Sequence, residues 1–265
     1  MTSGGVGEAR VPAIFVGHGS PMVALDEVKG APWRTWGQAL GTPRAILVIS
    51  AHWESTPLAL GTVTRRPLIY DFGGFPRALY EVKYSAPGAP ELLSRVEALM
   101  GPAGCRRAPE RGLDHGAWTP LVHLWPEANV PVLQISLPSA MGPEGLFDLG
   151  RRLAPLRREG VLILGSGNIT HNLRAMGPDG SQPEAWAAEL DAWTAGTLAN
   201  RDFDELVDYG HRAPDFRRNH PTEEHWRPLL VVAGASSTTE EEVSFPVEGF
   251  EYQNLSRRAV QFGAA

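Results

Sequence analysis

Ala45-Ile46-Leu47-Val48-Ile49-Ser50-Ala51-His52 is a run of β-prone apolar residues that ends in small residues and then a histidine. The same pattern occurs at Ala13-Ile14-Phe15-Val16-Gly17, which leads into His18. It returns at Val161-Leu162-Ile163-Leu164-Gly165-Ser166-Gly167, which leads through Asn168-Ile169-Thr170 to His171. Continuous apolar runs of this length, bounded by turn formers, read as buried strands of a covered, largely parallel sheet. Ligands of open α/β sheets bind beyond the carboxyl ends of the strands. One strand-end histidine is ordinarily a polar residue meeting solvent. Three such ends on one sheet edge point to a metal or acid–base site.

Working outward, further strands are expected at 58–63, 132–137 and 250–252. Helices are expected at 91–100, 119–124, 145–157, 184–200, 203–209 and 223–235. This alternation predicts a single-domain three-layer α/β/α sandwich with a mostly parallel or mixed central sheet. The 23 prolines and 29 glycines are spread along the chain, so no linker divides it. One catalytic domain is expected over 11–265, with a flexible N-terminal segment at 1–10. The stretches 65–88 and 211–221 are rich in Gly, Pro and aromatic residues, as loops that cover a pocket often are.

Composition narrows the function. A formal charge of −6 gives no footprint for nucleic acid or an anionic membrane surface. No stretch approaches the length of a membrane span, and the polar, Gly-rich start has no signal-peptide core. The single cysteine, Cys105, cannot form an internal disulfide, so a cytoplasmic location is expected. Cys105 lies in an expected loop without any nucleophile motif.

The chain has eight histidines. His225 lies in His220-Pro221-Thr222-Glu223-Glu224-His225-Trp226, where Thr222 reads as an N-cap and His225 as part of the first helical turn. There the helix dipole would favour the neutral imidazole that metals bind. His115 follows Asp114 in a loop that feeds a helix, and sequence neighbours rarely face each other, so the two are not read as a dyad. His123 and His211 read as structural, and His220 as shaping the loop before His225. Competing motifs fail. Thr170 stands where a dinucleotide fingerprint needs its third glycine, and there is no nucleophile elbow, phosphate loop or His-Glu-x-x-His helix.

Five blocks together resemble the class III extradiol ring-cleavage dioxygenases, in their 4,5-DOPA dioxygenase-like (LigB-type) branch. These are Gly17-His18-Gly19-Ser20-Pro21-Met22, Ser50-Ala51-His52-Trp53-Glu54, Leu113-Asp114-His115-Gly116-Ala117-Trp118, Gly165-Ser166-Gly167-Asn168-Ile169-Thr170-His171-Asn172-Leu173 and the block around His225. Tyr70-Asp71-Phe72-Gly73-Gly74-Phe75-Pro76 is similar to the family's aromatic–glycine loop.

The resemblance implies an oxidoreductase of aromatic-compound metabolism that opens a catechol, DOPA-like or another catecholic acid, with O₂ at a mononuclear non-haem Fe(II) site. It implies His18, His52 and His225 as metal ligands, with no carboxylate among them. It implies His171 as the catalytic base, which also stands as a candidate fourth ligand, and His115 as a second catalytic pocket histidine. An all-imidazole set suits Zn(II) as well as iron, so a zinc-dependent hydrolase or lyase on the same scaffold is the alternative. The expected partners are a small catechol and O₂, and a homo-oligomer is compatible. Trp53, Trp118, Phe72 and Phe75 read equally as pocket wall or as ordinary core.

Overall fold

In the computed structural model, residues 10–65, 67–101 and 104–264 are described. All but the last residue of the N-terminal segment expected to be flexible, positions 1–9, lies outside them. The strands are β1 (Ala13–Gly17), β2 (Ala45–Ser55), β3 (Leu58–Leu60), β4 (Cys105–Arg107), β5 (Val132–Pro138), β6 (Val161–Gly167), β7 (Val243–Ser244), β8 (Phe250–Glu251), β9 (Leu255–Ser256) and β10 (Val260–Phe262). Eight form one sheet in the order β4-β3-β5-β2-β6-β1-β10-β7, and β8 pairs with β9 in a separate ribbon. The central strands β5, β2, β6 and β1 run parallel, while β3 and β10 run antiparallel to their inner neighbours. The sheet is therefore mixed, with its parallel part at the centre.

Alternate residues of the central strands feed two separate cores. Ala13, Phe15, Leu47, Ile49 and Ile163 pack with α2 (Pro90–Met100), α4 (Pro143–Leu153), α5 (Ala185–Ala199) and α6 (Arg227–Ser236). Ile14, Val16, Ile46, Val48, Leu162 and Leu164 pack with α1 (Glu27–Leu40) and α3 (His115–Leu124) on the opposite face. Side chains of a strand alternate between faces, so apolar residues at every position require cover on both sides. This produces the three-layer α/β/α sandwich of a single domain.

Several boundaries differ from the sequence expectation. Cys105 begins an edge strand rather than a loop, since β3 offers its free side to pair with residues 105–107. Helix α1 was not expected. Asp26 caps it through the Val28 and Lys29 amides, and Trp33 and Trp36 bury its inner face despite Pro32 within it. Helix α6 starts at Arg227, four residues later than expected, and no side chain caps it. Thr222 instead donates its hydroxyl to Glu224. His225 thus stands on the turn before the helix, and burial rather than a helix dipole sets its chemistry.

Candidate metal centre and pocket

The carboxyl ends of β1, β2 and β6 are neighbours, and five histidines gather there. His18 follows β1, and its backbone amide donates to the Gly167 carbonyl at the end of β6 (2.9 Å). The next amide of that strand end, Asn168, donates to the His225 carbonyl (3.0 Å). A methyl group on Gly167 would collide with that carbonyl, so glycine there is what lets the His225 segment approach. His52 lies within β2, where the pairing with β5 shifts register between Ile49 and Glu54. Such an irregularity turns a side chain away from the regular pleat.

Three of these rings form a nearly equilateral triangle. Ring centroids are 5.0 Å apart for His18–His52, 5.2 Å for His18–His225 and 4.9 Å for His52–His225. The Nε2 atoms of His18 and His52 are 3.2 Å apart. Their hydrogen bonds define which nitrogens are free. Ser166 Oγ donates to the Gly116 carbonyl (2.5 Å), so it accepts from His18 Nδ1 (2.9 Å) and leaves the His18 Nε2 lone pair bare. His52 turns Nδ1 toward Asp71 Oδ2 (3.6 Å), and His225 donates from Nδ1 to Glu224 Oε1 (3.0 Å). His225 Nε2 is buried without any hydrogen-bond partner.

Electrostatics keep these imidazoles neutral. Burial, then the neighbouring histidines, holds His18 and His225 well below the usual histidine value. Burial also takes His52 down to about 3, with His115 adding to the effect and Asp71 opposing it. His52 Nε2 either donates to the bare His18 Nε2 or, with its proton on Nδ1 beside Asp71, faces it with a second lone pair, a repulsion that a cation between them relieves. Two imidazole nitrogens on one metal at about 2.0–2.1 Å lie roughly 3 Å apart, close to the His18–His52 separation. The donor set fits a divalent metal.

His115 and His171 flank this triangle. His115 is the first residue of α3, and its ring lies 3.9 Å from that of His52. His18, His52 and His115 themselves form a compact cluster able to hold a metal, as do His171, Glu224 and His225. His171 stacks on His225 at 3.5 Å with an interplanar angle of 9°. Its segment is laced to residues 218–220. His220 Nε2 donates to the Ile169 carbonyl (2.8 Å), His171 N to the Asn219 carbonyl (3.2 Å) and Asn172 Nδ2 to the Arg218 carbonyl (2.7 Å). His220 thus shapes the loop. His123 binds the Val23 carbonyl inside the α1–α3 packing, and exposed His211 pairs with Asp208.

Residues 12–263 match the family described as the catalytic LigB subunit of aromatic ring-opening dioxygenase. The chain belongs to the LigB family. It is an extradiol ring-cleavage dioxygenase and acts with a metal. LigB-family relatives include the 4,5-DOPA dioxygenase extradiol of Beta vulgaris, 42% identical over 84% of this chain and 85% of that one. The protein of that name from Escherichia coli strain K12 is 40% identical over 96% and 95% of the two chains. A crystal structure of an uncharacterised Escherichia coli K12 protein aligns with a TM-score of 0.80 at 35% identity, covering 96% of this chain and all of that one.

Of the four aromatic residues singled out in the sequence, Phe72, Phe75 and Trp118 form one cluster with Tyr70 and Tyr80. Phe72 meets the His115 ring edge to face at 5.4 Å. Trp53 instead lies beneath the Arg111 guanidinium. Sequence reasoning missed Asp71. Its carboxylate accepts from both His115 Nδ1 (2.9 Å) and the His115 amide (3.0 Å). Asp114 caps α3 through the Ala117 amide and binds Gln134 and Arg111, as its rejection as the His115 partner requires.

Proposed function

We propose that His18, His52 and His225 hold one Fe(II), and that the enzyme opens the ring of a DOPA-like or other catecholic acid using O₂. The observation that carries this reading is the unpartnered, buried Nε2 of His225 beside the facing Nε2 atoms of His18 and His52. When bound, the metal supplies Lewis acidity toward the catechol oxygens and an electronic path between catechol and O₂.

The chain's own residues do the rest. His171 is the base: burial and then the neighbouring histidines hold it at about 3, so it is neutral at pH 7 and free to accept a phenolic proton. Developing negative charge on the substrate beside it strengthens that basicity. On this reading the stacked geometry leaves His171 a proton acceptor rather than a fourth ligand. His115 turns its free Nε2 toward the catechol and accepts a hydrogen bond from it. Phe72, Phe75 and Trp118 give the catechol an apolar wall that keeps water from the reacting ring. Both oxygen atoms of O₂ enter the ring-opened semialdehyde acid, so electrons and atoms balance without another reductant.

The single cysteine supports a reducing cytoplasm as the setting, and no described helix is long and apolar enough to cross a membrane. The zinc-hydrolase alternative is not favoured, since the matched family and the relatives named above are dioxygenases. The test is oxygen consumption by Fe(II)-reconstituted enzyme across a panel of catechols. Uptake with a yellow ring-opened product is expected. No uptake with any catechol would overturn the proposal.

A further inference from the structure

His115 and His171 flank the same triangle, yet of these two rings only that of His115 is hydrogen-bonded to a carboxylate among the described residues. We infer that Asp71 is a positioning residue for ring cleavage, fixing the tautomer and plane of the His115 imidazole and seating the aromatic wall on it. This rests on the reading of His115 as a pocket residue given above.

Asp71 Oδ1 accepts from two His115 groups at once, the ring Nδ1 and the backbone amide. That amide belongs to the first residue of α3, where helix N–H groups lack internal partners and a negative charge is favourable. Two bonds to one oxygen fix both the backbone and the ring of His115. Because a carboxylate only accepts, Nδ1 carries the proton and Nε2 presents a lone pair toward the pocket. The second oxygen, Oδ2, lies 3.6 Å from His52 Nδ1, so the same carboxylate stands behind a proposed ligand. Phe72 follows Asp71 directly, and its ring meets His115 edge to face at 5.4 Å. Asp71 therefore joins a pocket histidine, a proposed ligand and the aromatic wall. It also supplies negative charge, one residue removed, to a proposed ligand set that has none of its own.

Asp71→Asn keeps the shape but loses the charge and the acceptor-only character, whereas Asp71→Ala removes the anchor. Carboxylate partners of this kind are worth about 10- to 100-fold in activity or metal affinity. In the Fe(II)-reconstituted enzyme, both variants are expected to lower kcat for a catechol by about that factor. KM and the melting temperature of the metal-free protein should change little. Nitrogen-15 NMR of the histidine rings in the metal-free protein should show His115 as the Nδ1–H tautomer, shifting toward Nε2–H in Asp71→Ala. Because Asp71 acts through His115, Asp71→Asn should cost little further in a His115→Gln background.

Wild-type kcat in Asp71→Asn, an unchanged His115 tautomer in Asp71→Ala, or multiplying losses in the double variant would each overturn the inference. A matching fall in melting temperature would overturn it in favour of a purely structural role. Failure of the underlying reading looks different. Wild-type turnover in His115→Gln would remove the role of His115 itself, and absent oxygen uptake by the unmutated enzyme would remove the site's proposed chemistry.

Discussion

His115 and His171 are the same residue type on two sides of one pocket, but they are held by different forces. His115 is fixed by charge, with the Asp71 carboxylate on its ring and its amide. His171 is fixed by packing, stacked on His225 and laced through backbone bonds to residues 218–220. The charges differ accordingly. Burial pushes the Asp71 carboxyl up, but the His115 hydrogen bond and charge outweigh it and bring it to about 2. Among the described residues no carboxylate hydrogen-bonds the His171 ring, though Glu224 lies within 4.8 Å of it, and burial first and neighbouring imidazoles second keep it neutral. An imidazole backed by an anion is held in one orientation and one tautomer. One surrounded by other imidazoles is free to take a proton only when substrate brings negative charge beside it.

The comparison breaks most visibly at the ligands. His225→Ala should lose metal, read as iron per chain after reconstitution and desalting, and with it all oxygen uptake. His115→Gln should keep its metal, because its role lies outside the triangle. If His115→Gln lost metal and His225→Ala kept it, the third ligand would be His115. Next in size, His171→Gln should retain metal while kcat falls about 10²- to 10⁴-fold, the usual worth of a positioned general base. An unchanged kcat would return His171 to a structural role.

A smaller effect is expected where the end of β6 meets the His225 segment. Gly167→Ala puts a methyl group against the His225 carbonyl, which the backbone must yield to accommodate. Overpacking of this kind costs about 1–3 kcal/mol. Calorimetry should show a lower melting temperature, with weaker iron retention if the displaced segment carries a ligand.

A further effect is one of pH. His220, fully buried behind His171, is lowered by burial to about 4 from an unfolded value of 6.5. Above pH 6.5 neither state is protonated there, and the full stability is present. As pH falls from 6.5 to about 4, the unfolded chain gains a proton that the folded chain refuses, and stability is lost. That single proton is worth about 3 kcal/mol. Chemical denaturation of metal-free His220→Gln should therefore show a shallower acid slope than the wild type. An identical slope would mean that His220 takes up its proton as readily in the folded state as in the unfolded chain.

Much of this was legible in the sequence because of where the histidines sit. His18 and His52 end apolar runs that can only be buried strands, so their placement follows from the sheet. His171 was legible for the same reason, four residues past the end of β6. His225 and His115 were legible only through family resemblance, since each lies on an irregular turn or helix start whose position depends on tertiary contacts. The expected helix start at Thr222 failed because Gly167 and Asn168 hold the His225 segment as a turn. Asp71 was not legible. It lies 44 residues before its partner, in a loop whose glycines and aromatics read only as pocket cover. Helix α1 escaped because Pro32 and its glycines mask an apolar stripe carried by two tryptophans.

The central claim is that this pocket inserts O₂ into a catechol ring at a metal held by histidines. Its most direct test is turnover of a catechol by Fe(II)-reconstituted enzyme under oxygen-18 gas, with mass spectrometry of the ring-opened product. The account predicts one labelled oxygen in the new carboxylate and a second in the aldehyde when the product is trapped before the aldehyde exchanges with water. An unlabelled product whose added oxygen comes from water would contradict it.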